Sequence, residues 1–180
     1  MIEIISGTNR KDSNTLKVAK ILEAKYKSLS VPCQILDLCE VPLELFHPDS
    51  YAEKPKNFIP FQKRIVESKG LHVVTPEYNG SFSGMLKYFI DHLPFPDSFE
   101  HRPVAFTGVA AGIWGGIRAV EQLQGIFGYR NAFILPERTF LSTVHKKLST
   151  DGTKITDDFV NGLMDDQVKK FVNFSRLLKS

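Results

Sequence analysis

The 180-residue chain lacks the features that mark membrane and secreted proteins. Its longest apolar runs fall far short of the roughly 20 residues that a membrane-spanning helix requires. The N-terminus shows no basic segment followed by an apolar stretch and a cleavage site, the pattern of a secretion signal. We therefore expect a soluble, cytoplasmic protein without a membrane partner.

Cysteine is scarce, and histidine is never spaced for metal binding. The two cysteines, Cys33 and Cys39, lie in or just after one predicted strand and have no histidine at metal-ligand spacing. The five histidines never pair at i+2, i+3 or i+4. We expect ordinary packing thiols in a reducing compartment and no metal site.

The charge excess is also small. Lysine and arginine number 23 against 20 aspartates and glutamates, which gives a net charge of +3. So weak and evenly spread an excess argues against nucleic-acid binding and slightly favours anionic small molecules. Hydrophobic residues make up 42% of the chain, enough for a real core, and the length predicts a single domain over residues 1–180.

Short apolar runs alternate with amphipathic stretches along the chain. The runs are near-continuous, as in strands of a parallel sheet covered on both faces, and lie at residues 2–6, 33–38, 71–76, 104–109 and 131–136. Between and after them, helical periodicity covers residues 14–29, 56–69, 82–93, 115–128 and 157–178. This alternation predicts a doubly wound α/β sandwich of three layers.

Ligands of such folds bind beyond the carboxyl ends of the strands. The loops after strands one, three and four, at residues 6–14, 76–83 and 109–116, are also the unusual stretches of this chain. We therefore expect them to form the binding site together.

The first loop, "GTNRKDSNT" at residues 7–15, has the composition of a phosphate site. A phosphate is best held by N–H groups at a helix start, with hydroxyls and a guanidinium added. Asp12 or Ser13 can cap the helix that follows. The candidate phosphate ligands are Thr8, Arg10, Ser13, Asn14 and Thr15. An ordinary capped loop with a solvated arginine is the alternative interpretation.

Two common nucleotide motifs are missing. Gly7 is the only glycine of the first loop, so the dinucleotide fingerprint G-x-G-x-x-G is absent. No G-x-x-x-x-G-K-[ST] sequence occurs either, which excludes a P-loop NTPase.

The second and third loops suit a flat ring. In "TPEYNGSFSG" at residues 75–84, Asn79 and Gly80 can take positive φ, and Ser81 or Ser83 can cap the next helix. Such a bend presents backbone donors and acceptors in a row. "GVAAGIWGG" at residues 108–116 has four glycines, which let main chain approach a planar ligand. The candidate ring contacts are Pro76, Glu77, Tyr78, Asn79, Gly80, Gly108 and Gly112. Each loop alone also fits an ordinary turn.

Taken together, the three loops resemble those of the NAD(P)H-dependent FMN reductase family, which includes quinone, azo-dye and chromate reductases. "GTNRKDSNT" is similar to the family's G-S-x-R-x-x-S-x-N loop, with Thr8 at the serine position and Thr15 at the asparagine position. "PEYNGS" at residues 76–81 matches the stretch after strand three, and "GGIRAVEQL" at residues 115–123 is similar to G-G-x-R-A-x-x-x-L.

The resemblance implies a flavodoxin-like fold with strand order 2-1-3-4-5 and noncovalently bound FMN. It further implies hydride transfer from NADPH or NADH to FMN, and electron transfer onward to a flavin, quinone or similar acceptor. No protein side chain is then expected to act as the catalyst. The family also implies a homodimer or tetramer with active sites at the subunit interface. Phe46 and Tyr51, in the long aromatic connection 40–60, are hypothesised to lie at the dimer rim near the partner's flavin, or else to pack on their own subunit.

Three other functions fit parts of this pattern. A flavodoxin-like electron carrier would bind FMN without significant NAD(P)H turnover, but such carriers are typically acidic and use a T-x-T-G-x-T loop, which this chain lacks. A flavin-bound sensor would act through a protein partner. An NAD-binding Rossmann enzyme would hold a dinucleotide and no flavin.

Overall fold

The computed structural model describes residues 1–178, so the predicted domain boundary at residue 180 lies outside the described residues. Its centre is a five-stranded parallel sheet of order β2-β1-β3-β4-β5. The strands are β1 (Ile2–Ser6), β2 (Cys33–Asp37), β3 (Gly70–Pro76), β4 (Pro103–Val109) and β5 (Phe133–Leu141). The α-helices are α1 (Asn14–Ser28), α2 (Ile59–Glu67), α3 (Gly84–Asp91), α4 (Ile117–Tyr129) and α5 (Asp158–Leu177).

Helices cover both faces of the sheet because its central strands are apolar on both sides. Successive strand residues point to opposite faces, so Ile4 packs with α1 and α5 while Ile5 packs with α2, α3 and α4. Val74 and Val73 of β3 divide in the same way. The predicted three-layer fold and its strand order are confirmed.

Strand β5 is longer than predicted. The prediction ended it at Pro136, but the strand continues to Leu141. Val104 pairs with Ile134 and Phe106 pairs with Arg138, so β5 carries two extra residues at a bulge, where Pro136 is accommodated. Proline is tolerated at bulges and on edge strands such as β5. The extension carries the loop after β5 to the carboxyl edge of the sheet.

A buried hydrogen-bond chain joins β3 and β4 to α1 and α5. The Tyr26 hydroxyl lies 2.8 Å from His72 Nδ1, and His72 Nε2 lies 2.8 Å from Thr107 Oγ1. Thr107 donates to Gln167 Oε1 at 2.9 Å, and Gln167 Nε2 donates to carbonyl oxygens of β4 and β5. Because the Thr107 hydroxyl donates its proton to Gln167, it can only accept a hydrogen bond from His72. The neutral imidazole therefore donates from Nε2 and accepts at Nδ1. Burial lowers the pKa of His72 to about 3.

We expect this histidine to make the folded state sensitive to acid. Between pH 6.5 and 3 the unfolded chain binds a proton at His72 and the folded chain does not, so the free energy of unfolding falls as pH falls. His72 contributes up to about 1.4 kcal/mol per pH unit in this window. Urea unfolding at several pH values should show a shallower decline for His72→Gln, which cannot titrate. Equal slopes for the two proteins would contradict this prediction.

Candidate functional site

A cavity of about 590 Å³ opens at the carboxyl edge of the sheet. Residues 10–15, 76–78, 109–111 and 144–145 line it. They follow strands β1, β3, β4 and β5, so the three predicted loops meet as expected and the loop after β5 joins them. The volume lies within the range of about 300–1,000 Å³ found for small-molecule sites.

The first loop leaves β1 at a glycine that packing requires. The Gly7 N–H donates to the Val74 carbonyl of β3 at 2.8 Å. A Cβ at this position would lie 2.7 Å from that same oxygen, so no larger residue fits without moving the backbone. Ser83 caps α3 through its contact with Leu86 N–H and donates to the Gly7 carbonyl at 2.6 Å. The first loop is therefore attached to β3 and to the start of α3.

The start of α1 offers unused donors to an anion. Ser13 is the N-cap and accepts from the Leu16 N–H at 3.1 Å, which leaves its own hydroxyl proton free to donate. Among the described residues, the N–H groups of Asn14 and Thr15, the Thr15 hydroxyl and the Arg10 guanidinium have no hydrogen-bond partner. A helix N-terminus with a hydroxyl and a guanidinium beside it suits a phosphate. The donor set therefore fits the phosphate of FMN.

The loop after β3 has the predicted bend. Asn79 has φ of 52° and Gly80 has φ of 77°. Tyr78 and Ser81 exchange backbone hydrogen bonds at 2.8 and 3.1 Å across this turn. The Glu77 N–H donates to the Val109 carbonyl at 3.1 Å, which ties the loop to the end of β4. Pro76, Glu77 and Tyr78 line the cavity, whereas Asn79 and Gly80 form the turn beside it.

Helix α4 holds this loop through two side chains that the sequence analysis did not single out. Arg118 donates to Glu77 Oε1 at 2.9 Å, and its guanidinium lies over the Trp114 ring, 5.2 Å from the centroid. Gln122 donates to the Gly80 carbonyl at 3.2 Å and accepts from the Ser81 hydroxyl at 2.6 Å. Arg118 is the arginine of the G-G-x-R-A stretch, so that motif braces the loop after β3.

Thr8 links the first two loops from beneath the cavity. Its side chain is buried, and its Oγ1 lies 3.0 Å from the Tyr78 hydroxyl. The same Oγ1 accepts from the Arg10 N–H at 3.3 Å. Thr8 is thus a predicted site residue that contacts both loops but does not line the cavity among the described residues.

The two candidate glycines of the third loop differ in their surroundings. A Cβ on Gly108 would lie 2.6 Å from the Gly115 carbonyl and 3.0 Å from Gly116, so Gly108 is required by packing within its own loop. Gly112 has open space where a Cβ would lie, and its carbonyl accepts from the Thr143 N–H at 3.0 Å. Neither is among the described residues that line the cavity, and their part in ligand binding stays a prediction.

Several lining residues were not predicted. Lys11 is an exposed cation of the first loop, and Val144 and His145 follow β5. All carboxyl ends of a parallel sheet share one edge, which is the signal that pointed to the loop after β5. The predicted site included only the loops after strands one, three and four.

Phe46 and Tyr51 pack on α3 of their own chain. The Phe46 ring stacks on Tyr88 with centroids 4.8 Å apart, and the Tyr51 ring lies 4.3 Å from that of His92. Both residues stay partly exposed. The packing agrees with the own-subunit alternative, and a partner's contact with their exposed sides stays a prediction.

Neither a metal nor a membrane site is found in residues 1–178. No group of three or more histidine, cysteine, aspartate or glutamate side chains there is placed to hold a metal ion. No helix in that part of the chain is long and apolar enough to cross a bilayer.

The parallel sheet of order β2-β1-β3-β4-β5, with helices on both faces, defines a flavodoxin-like fold, and the start of α1 lines the cavity at its carboxyl edge. The sequence model for NADPH-dependent FMN reductases matches residues 1–146. The chain belongs to this family of FMN-dependent NAD(P)H oxidoreductases, as its motifs predicted. The family's description also agrees with the expected cofactors, FMN and NADPH.

Known relatives span most of the chain. An FMN-dependent NADPH-azoreductase of Staphylococcus haemolyticus is 29% identical over 180 residues, covering 96% of this chain and 95% of its own. An NADPH azoreductase of a Bacillus species is 28% identical, covering 89% and 88%. Among solved structures, FerB, a flavoenzyme NAD(P)H:(acceptor) oxidoreductase from Paracoccus denitrificans, has a TM-score of 0.81 at 25% identity, covering 97% and 96%.

The two glycines of the third loop allow a matched stability test. We expect Gly108→Ala to lower the free energy of unfolding by about 1–3 kcal/mol, because its methyl group overlaps backbone atoms that cannot move independently. Gly112→Ala has open space and should change stability by no more than about 0.5 kcal/mol. Urea unfolding of both variants measures the difference, and equal stabilities would show that the Gly108 contact is not restrictive.

Proposed function

We propose that the cavity binds FMN, with its phosphate at the start of α1 and its ring against residues 76–80. The supporting observation is the arrangement of the cavity wall. In the described part of the chain, hydrogen-bond donors without partners, suited to an anion, follow β1 in the cavity wall. A backbone turn held by Arg118 follows β3. The proposed phosphate ligands are Arg10, Ser13, Asn14 and Thr15, with Thr8 behind them.

In the NADPH-dependent reduction of FMN that defines the family, the protein's own part is to bind and orient the cofactor. Bound FMN supplies the hydride and electron chemistry. Arg10 neutralises phosphate charge, and the first N–H groups of α1 add the helix dipole. Arg118 and Gln122 keep the loop after β3 in position through Glu77, Gly80 and Ser81.

We further propose that electrons pass from NADPH through FMN to an aromatic acceptor of the azo or quinone type. The support is the names of the relatives, two azoreductases and an NAD(P)H:(acceptor) oxidoreductase. A flavodoxin-like carrier or a flavin-bound sensor would bind FMN but would not turn over NADPH.

Anaerobic reduction tests the proposed function directly. The purified protein, reconstituted with FMN, should lose its yellow absorbance within seconds of NADPH addition, and a quinone or azo dye should restore it. Bleaching by dithionite in a parallel sample controls for flavin that cannot be reduced. A protein that bleaches with dithionite but not with NADPH or NADH would be a carrier or a sensor.

We propose that the chain forms a homodimer, or a dimer of dimers, through the face between α3 and α4. A groove of about 410 Å³ runs between these helices. Phe95 at 54% and Tyr129 at 80% exposure leave two aromatic side chains on its rim. Gly125 lies in the groove with no atom within 4 Å of where its Cβ would be. Glycine inside a helix costs about 1 kcal/mol relative to alanine. Close packing of a second chain against Gly125 would offset this cost.

The dimer face can be tested with two helical glycines that both have open space. Gly125→Glu should shift the species seen by light scattering from twice the 20.3-kDa chain mass towards the monomer, because it places a charge in the groove. Gly162→Glu, on the exposed side of α5, should leave the mass unchanged. A Gly125→Glu protein that stays dimeric would place the interface elsewhere.

We also propose that residues 1–180 form one domain that works in the cytoplasm. Its two cysteines, Cys33 and Cys39, are free, as in proteins of reducing compartments. Burial raises the pKa of the Cys33 thiol. This supports the predicted packing role.

A further inference from the structure

One side chain connects the two halves of the proposed FMN site. Tyr78 belongs to the loop after β3 and lines the cavity, yet its hydroxyl ends 3.0 Å from Thr8 Oγ1, in the loop after β1. Thr8 is 1% exposed and accepts from the Arg10 N–H at 3.3 Å. Two hydrogen bonds thus run from a residue of the ring loop to the backbone of the proposed phosphate arginine.

This connection matters because the first loop has little else to hold its middle. Gly7 is attached to β3, and Ser13 is attached to the first turn of α1. Between them, the Arg10 N–H bond to Thr8 is the sole hydrogen bond of Arg10 within the described residues. A loop that must be ordered when its ligand binds weakens the complex, and a tether that orders it beforehand strengthens binding.

We propose that Tyr78 is a positioning residue that sets the preference of the site for FMN over riboflavin. It acts through Thr8 on the loop that receives the phosphate, although it lies in the loop that contacts the ring. This inference rests on the proposed function. Riboflavin has the same ring and ribityl chain as FMN but no phosphate, so it does not depend on the position of Arg10.

Flavin fluorescence titrations of the apoprotein test this proposal. Tyr78→Phe removes one hydrogen bond and should weaken FMN binding about 3- to 10-fold, while riboflavin binding changes less than about 2-fold. Thr8→Val cuts the same connection from the other loop and should lower the FMN-to-riboflavin preference to a similar extent. The double variant should lower it no further than Thr8→Val alone, because that change already removes the partner of the Tyr78 hydroxyl.

The control is Ser28→Ala, which removes an exposed hydroxyl hydrogen bond at the end of α1 far from the cavity and should leave both affinities unchanged. Equal losses for FMN and riboflavin in Tyr78→Phe would show that Tyr78 acts on the ring, and would overturn the proposal. Unchanged binding, or fully additive effects of the two variants on the preference, would overturn it as well. If Tyr78→Phe does not fold, Thr8→Val decides alone.

A wild-type protein that binds neither flavin would refute the proposed function itself, and the wild-type titration reports that outcome separately.

Discussion

The parallel pairing of all five strands is the constraint on which the site depends. Each neighbouring pair in the order β2-β1-β3-β4-β5 runs in the same direction, so all carboxyl ends lie at one edge. Loops that are some 70 residues apart in the chain, such as those of Thr8 and Tyr78, therefore come within hydrogen-bond distance. The helix that follows β1 begins at this edge, and its first residues, Asn14 and Thr15, line the cavity.

Polar contacts from neighbouring elements hold the loops of the proposed FMN site in position. Arg118 and Gln122 reach from α4 to the loop after β3, and Ser83 reaches from the start of α3 to the first loop. Such supporting contacts hold a cofactor site to the accuracy that its chemistry needs. One oxygen of Glu77 is left buried without a hydrogen-bond partner among the described residues.

The buried polar network and the carboxyl edge of the sheet are built from different residues. The hydrogen-bond network from Tyr26 to Gln167 pairs buried polar groups inside the fold and joins α1 and α5, which cover one face, to the sheet. Gly7 and Gly108 permit close backbone contacts at the edge itself. The α3–α4 groove is separate from both and leaves aromatic surface exposed on the single chain.

The sequence alone was sufficient for the fold class, the Ser13 cap of α1 and the turn at Asn79 and Gly80, because these follow from local periodicity, capping and backbone preference. The sequence also identified the family, because the family's motifs are short stretches that can be recognised along the chain. The length of β5, the brace from Arg118 to Glu77, the contact of Tyr78 with Thr8 and the place of His145 in the wall were decided only by the tertiary structure. Each depends on which distant segments meet, and that is settled by strand register and by a bulge that local propensity does not encode.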